Sequence, residues 1–223
     1  MIPILFEDNH CLVVDKPAGL LSQGDSTGDP CVVDLARSYL KERYDKPGNV
    51  FLGLVHRLDR PTSGVLLLAK TGKAATRLSE QFHEGLIEKT YIAVAEGICR
   101  DHEGEWADSL LKDPATNIVQ AVPFDTPNSR EANVRFKILD RSEGRVVVHL
   151  RPTTGRGHQL RVQLASRGLS IVGDFKYGSR TPLMASDGRP RIALHAAELS
   201  FKHPTRPDRL AISASLPADW PVG

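Results

Sequence analysis

The sequence predicts an α+β fold, a mixed and largely antiparallel β-sheet core with flanking helices. Three observations point there. Short apolar runs of strand length outnumber the stretches with helical period. Those runs come mostly in neighbouring pairs separated by turn residues, with no regular βαβ alternation. No GxGxxG or Walker A pattern follows any of them, which disfavours a dinucleotide- or NTP-binding sheet.

Residues 11–15 are an apolar run that meets the turn Lys16-Pro-Ala-Gly19, a strand followed by a reversal. Residues 22–30 are rich in Ser, Gly and Asp and read as a loop. From it Asp29 can cap a helix with Pro30 at the first position; Val33, Ala36, Tyr39 and Leu40 give that helix a buried stripe, and it ends near Lys46. Residues 51–58 and 65–69 read as strands around the loop 59–64. Thr71 caps a helix to about Glu84, with Ala75, Leu78 and Phe82 inward and Gly85 as its stop. Residues 90–95 are rich in β-formers. Residues 99–130 are polar, carry Pro114, Pro123 and Pro127, and read as long connections with short strands. Residues 133–139 and 145–150 form an antiparallel pair around the turn 141–144. A helix over about 157–167 puts Leu160 and Leu164 on one face, with Gly168 just past its end. The tail alternates strands at 192–195, 198–201 and 210–213 with proline-rich turns.

A chain of 223 residues, 40% hydrophobic and 25% charged, suits one soluble globular domain over 1–223. Its 29 basic and 27 acidic residues leave a net charge of +2, so the distribution of charge says more about partners than the sum. Cys11, Cys31 and Cys99 are odd in number, far apart and without a CxxC pair. That argues against a disulfide framework or a cysteine zinc site and for a reducing compartment, with the cytoplasm as the expected location. No signal-peptide pattern opens the chain, and no run of 18 apolar residues would span a membrane. His56, His149, His158 and His195 lack HxxxH or HExxH spacing, so no catalytic metal is expected.

Chemistry concentrates in 54–69. There His56, Arg57, Asp59, Arg60, Thr62 and Ser63 are framed by two apolar strands, where a rigid scaffold can present side chains to a ligand. Arg57 and Asp59 are two apart, so they share a face on a continued strand. Thr62 and Ser63 can orient a carboxylate or bind phosphate, and Gly64 permits a close approach or a positive φ. An ordinary loop capped by Asp59 accounts for the motif shape about as well.

His56-Arg57-Leu58-Asp59 followed by Thr62-Ser63-Gly64 resembles the signature of the RluA family of RNA pseudouridine synthases. The similarity continues in order through Lys16-Pro-Ala-Gly19, Glu88-Lys-Thr-Tyr91, Thr154-Gly-Arg156-Gly-His158-Gln159-Leu160-Arg161, Gly173-Asp174 with Tyr177-Gly178, Leu194-His195-Ala196 and Phe201-Lys-His203-Pro204. It departs at Gly157, where a threonine or similar residue is expected, and at Gln163, where a histidine is common. The early position of Lys16 suggests a bare catalytic domain, without the N-terminal S4-type domain that the family often carries.

The resemblance implies a central RNA-binding cleft and isomerisation of uridine to pseudouridine in structured ribosomal or transfer RNA. It assigns the catalytic carboxylate to Asp59, with Arg161 as its ionic partner and Tyr91 as the ring on which the uracil stacks. Arg57 would fill the space of the displaced base, which must leave its stack to be reached. His56, Thr62, Ser63, Arg156, His158 and Gln159 would complete the substrate contacts. The reaction is neither redox nor phosphate-consuming, so no cofactor is expected, and a monomer is the expected state. Arg145, Arg151, Arg156, His158, Arg161 and Arg167 suggest an RNA-facing surface, with a solvated face equally suited to Arg145 and Arg167. Two other readings compete: a non-catalytic RNA-binding module, which the presence of Asp59 disfavours, and a carboxylate hydrolase of nucleosides or glycosides. The hydrolase needs a second acid, for which the sequence offers only a distant residue such as Asp174.

Overall fold

The computed structural model describes residues 2–142 and 144–221; Glu143 of the expected turn at 141–144 and the ends of the 1–223 span lie outside the described residues. In chain order the elements are β1 (Ile4–Glu7), β2 (Cys11–Lys16), α1 (Val32–Arg43), β3 (Gly53–Leu54), β4 (Ser63–Ala69), α2 (Gly72–His83), β5 (Glu88–Glu96), β6 (Glu103–Lys112), β7 (Val119–Val122), β8 (Arg130–Ser142), β9 (Arg145–Pro152), α3 (Gln159–Ala165), β10 (Ser170–Ile171), a 3₁₀ turn (Phe175–Tyr177), β11 (Leu194–Lys202) and β12 (Arg209–Ser213). This is the mixed, largely antiparallel α+β architecture that the strand pairs predict. The chain divides into two compact units, one built from residues up to Glu88 with Ala196–Leu216, the other from Lys89–His195 with the stretch from Pro217.

In the first unit β2 runs antiparallel to β1 and to β4, from Cys11 opposite Ala69 to Lys16 opposite Gly64. All seven residues of β4 are buried, which is why residues 65–69 run continuously apolar rather than alternating. Val13, Val65 and Leu67 pack with Ala74 and Leu78 of α2 and with Leu199 and Phe201 of β11. Thr71 caps α2 as expected, its side chain accepting from the Ala74 N–H at 3.2 Å. Helix α1 departs from expectation, starting at Val32 behind Cys31 rather than at Asp29 and Pro30. Asp29 pairs instead with Arg60 at 2.8 Å. The strand expected over 51–58 contracts to β3, because Leu58 gives both its N–H and its carbonyl to the Ser22 hydroxyl, at 3.1 and 2.7 Å, instead of to a ladder.

The second unit is an antiparallel sheet in the order β5-β9-β8-β6-β7, with β10 on β5. The polar stretch 99–130 holds a ten-residue strand, β6, paired with β8 from Glu103–Lys137 to Leu110–Arg130. Its first residues face water, and that exposed face, not loop character, is what makes them polar. Leu160 and Leu164 of α3 pack on Val94, Val148 and Leu150. The helix is shorter than its apolar stripe suggests, since His158 sits at φ 55°, a left-handed conformation that cannot continue a helix. The two expected tail strands at 192–195 and 198–201 give way to the one strand β11.

Candidate active site

Asp59 lies half-buried in the connection from β3 to β4, and that connection is tied down from several sides. The Asp59 carbonyl accepts from the Thr62 N–H at 3.1 Å, closing a turn. Lys16 is fully buried, and its ammonium donates to the carbonyls of Pro17, Leu20 and Arg60 at 3.1, 2.7 and 3.1 Å. Arg60 in turn donates through Nε to the Gly19 carbonyl at 3.0 Å, and the Gly19 N–H donates to the Arg60 carbonyl at 2.8 Å. One buried cation thus locks the early Lys-Pro-Ala-Gly turn onto the Asp59 loop. Gly64 closes the loop at φ 112°, and a Cβ there would stand 2.2 Å from the Ala196 carbonyl oxygen, so only glycine fits. Lys16→Met takes the ammonium from three carbonyls, leaving the buried Leu20 carbonyl without this donor while the Arg60 carbonyl keeps the Gly19 N–H, and is expected to cost about 1–3 kcal/mol in stability, with a parallel loss of turnover; an unchanged denaturation midpoint would show that the loop holds without the ammonium.

In the second unit a buried polar group forms around α3. Arg161, 6% exposed, donates from Nε and Nη2 to the two oxygens of Asp174, 2% exposed, at 2.7 and 2.8 Å. This is the planar two-bond pairing that arginine makes with a carboxylate. The guanidinium carbon lies 4.9 Å from the centre of the Tyr177 ring. The Tyr177 hydroxyl is 2.6 Å from His158 Nδ1 and accepts from the Val119 N–H at 3.1 Å. The preceding loop is fixed by Gln159, whose Oε1 accepts from the Thr154 hydroxyl at 2.8 Å and the Arg156 N–H at 3.0 Å, while Nε2 donates to the Asn133 carbonyl and to Gln163. Tyr91, on β5 opposite Leu150, is half-buried against the core of this unit.

Residues 10–166 match the family profile of RNA pseudouridylate synthase. The chain belongs to that family. It is 34% identical over 222 residues to ribosomal large subunit pseudouridine synthase C of Vibrio parahaemolyticus, covering 96% of this chain and 65% of that protein. It is 36% identical over 220 residues to the protein of the same name from Escherichia coli K12, covering 96% and 66%. The chain therefore spans just under two thirds of the length of these bacterial relatives. Among solved structures, human RNA pseudouridylate synthase domain containing 4 superposes with a TM-score of 0.80 at 25% identity, covering 98% of this chain and 90% of that one. Human RNA pseudouridylate synthase domain containing 1 has the same fold, at a TM-score of 0.73 and 24% identity, covering 96% and 83%.

Membership in this family directs attention to the site residues, which fall into two groups. Arg57 is exposed, with no carboxylate within ion-pair distance among the described residues, and Arg156 is exposed as well. The others turn inward. His56 accepts the Leu67 N–H at Nε2, 2.9 Å away, and stacks on Phe82 at 4.5 Å, so it props the strand behind the loop. Thr62 and Ser63 are buried, and Gln159 uses its amide to hold neighbouring backbone and side chains. Gln163, where the family often has histidine, is fully buried and donates to Asp108 at 2.7 Å, so that departure falls in the interior. Arg161 is buried, and Arg167 lies over Trp106 and pairs with Asp108 at 3.0 Å; the basic stretch is not one continuous surface. Sequence reading named Asp174 only as a distant candidate acid and Tyr177 only as part of an ordered motif; the pairing of Asp174 with Arg161, the Tyr177 contacts and the function of Lys16 come from the structure.

Among the described residues Asp8, Cys11 and His203 form a cluster with the spacing of metal ligands. Its bonding does not suit a cation. His203 Nδ1 accepts the N–H groups of Thr205 and Arg206 at 3.2 and 3.1 Å, so the ring proton sits on Nε2 and is donated to Asp8 at 2.7 Å. A metal on Nε2 would force that proton onto Nδ1, against two N–H donors. Burial, aided by the nearby Asp8, pushes the Cys11 thiol up to about 12, so it is no thiolate.

Proposed function

We propose that the chain is an RNA pseudouridine synthase, acting as one catalytic domain and using Asp59 to isomerise uridine in structured RNA. The observation that carries this reading is Asp59 itself, held in a rigid, glycine-closed loop inside the family match. Its relatives are named for the large ribosomal subunit, which favours ribosomal over transfer RNA as substrate. The three free cysteines suit a reducing, cytoplasmic setting, a monomer is the state we propose, and no helix among the described residues is long and apolar enough to cross a membrane.

Isomerisation breaks the N1–C1′ bond, turns the base over and joins C5 to C1′. Attack on the sugar, attack on the base and proton removal from C2′ all call on one carboxylate, as in glycoside chemistry. Arg161 orients and balances charge, Tyr91 stacks the uracil, and Arg57 holds the place of the extruded base. The hydrolase reading needs a second acid at the reaction centre, and Asp174, the distant candidate, is instead engaged by Arg161. Incubation with large-subunit ribosomal RNA and with transfer RNA, without added metal or nucleotide, tests the reading: pseudouridine is expected, whereas free uracil or binding alone would overturn it. Tyr91→Phe keeps the ring and loses the hydroxyl, so RNA affinity should hold while turnover falls by about 10²-fold, the usual range for a proton-transferring group. Normal turnover in that variant would reduce Tyr91 to a stacking platform.

A further inference from the structure

Lys89 is an anomaly of the second unit. It lies half-buried on β5, two residues before Tyr91 and therefore on the same face of the strand. Its ammonium makes one hydrogen bond, to the Thr154 carbonyl at 2.8 Å. Among the described residues no carboxylate lies within ion-pair distance of it, and the charged group acting on it is another cation, Arg156. An ammonium has three protons to place, and a sunken cation facing a second cation is costly without an anion. Gly155 links Thr154, which holds the ammonium, to Arg156, and a Cβ there would come into ordinary contact with the Lys89 nitrogen at 3.6 Å, so the loop backbone runs beside the ammonium. Arg156 is itself preset, with its N–H on Gln159 and its Nε donating to the Glu131 carbonyl at 2.9 Å. The remaining neighbours do not supply the missing anion. His149 and Arg151 of β9 alternate to the face opposite Leu150, which pairs with Tyr91, and His158 beyond the loop is engaged with Tyr177.

We propose that Lys89 and Arg156 form a phosphate-binding subsite for the RNA backbone, gripping a phosphodiester next to the nucleotide stacked on Tyr91. This rests on the reading of the chain as an RNA enzyme. Two cations without a carboxylate, backed by a loop whose backbone is held by Gln159, match an anion that arrives with the substrate. Burial, reinforced by Arg156, holds the Lys89 ammonium down to about 8 in the free protein. A bound phosphate favours the charged form, so binding takes up a proton when the pH lies above about 8.

The test is RNA affinity, read by fluorescence anisotropy with a labelled uridine-containing stem–loop from pH 6.5 to 9 at fixed ionic strength and then across salt. Wild-type affinity should be flat below pH 8 and fall roughly tenfold by pH 9. Lys89→Arg, which stays charged, should remove that fall. Lys89→Met should weaken binding at pH 7, lower the slope of log affinity against log salt by about one, and lose more in kcat/KM than in kcat. It should not lower thermal stability, as loss of a purely structural lysine would. A second measurement needs no variant: the ¹³Cε resonance of Lys89 in the wild-type protein should titrate near pH 8 and move to higher pH with RNA bound. An unshifted titration, or a wild-type salt slope in Lys89→Met, overturns the subsite. If the wild-type protein binds RNA yet makes no pseudouridine, the enzymatic reading fails while the subsite stands.

Discussion

Asp59→Asn is expected to abolish pseudouridine formation, by at least about 10³-fold, the scale of losing an essential nucleophile or base, while leaving stability and most RNA affinity in place. The amide is nearly isosteric with the carboxylate but is neither a useful nucleophile nor a base. The loop's backbone is fastened through the Asp59 carbonyl, the Lys16 ammonium and the Ser22 hydroxyl, all of which the substitution leaves in place. Affinity survives because phosphate contacts supply most RNA binding. Single-turnover assay of a purified variant, with unfolding followed in parallel, checks both halves. Residual turnover within tenfold of wild type would remove Asp59 from the chemistry. A collapse of stability would show instead that the carboxylate is part of the loop's scaffold.

The frame of this site was legible in the sequence because its strands are buried and its turns need special residues. Residues 65–69 of β4 are continuously apolar and enclosed, Thr71 caps α2, and Gly64 stands where a side chain would strike Ala196. What stayed hidden depends on tertiary partners. A polar β6 looks like loop because one face meets water, and its pairing with β8 is a long-range fact. Local capping chemistry favoured Asp29, but Arg60, far away in sequence, claims it. The direction in which a ring or an amide points also follows from its partners: His56 and Gln159 carry the right chemistry for substrate contact and spend it inside the protein, while Thr62 and Ser63 are buried. Lys16 reads only as the first residue of a turn until three carbonyls are found around its nitrogen.

Arg161 and Asp174 are expected to behave as one unit, with the largest stability effect in the molecule. Both are buried, joined by two short charge-assisted bonds, and covered by the Tyr177 ring. Arg161→Ala leaves the Asp174 carboxylate in a poorly solvated place and should cost about 3–5 kcal/mol, and Asp174→Ala removes the two short bonds that fix the guanidinium and should also destabilise. Replacing both with apolar residues of similar volume, Arg161→Met with Asp174→Leu, should recover much of the Arg161→Ala loss, since the Asp174 carboxylate is then gone as well. Turnover separates the structural role from the chemical one. If Arg161 serves the reaction at Asp59, the apolar double variant stays inactive although it is stable again, and Arg161→Lys, which keeps the charge but not the planar fork, recovers only part of the activity. Asp174→Asn then acts on catalysis through the guanidinium it no longer fixes: kcat falls while RNA affinity is nearly kept, because a buried arginine held along one edge has its orientation set before substrate arrives. Should the stable double variant turn over at the wild-type rate, Arg161 is a core residue and the carboxylate chemistry of Asp59 proceeds without it. Should single-variant losses simply add in the double variant, the two side chains are energetically independent and the paired geometry does not set the stability of α3.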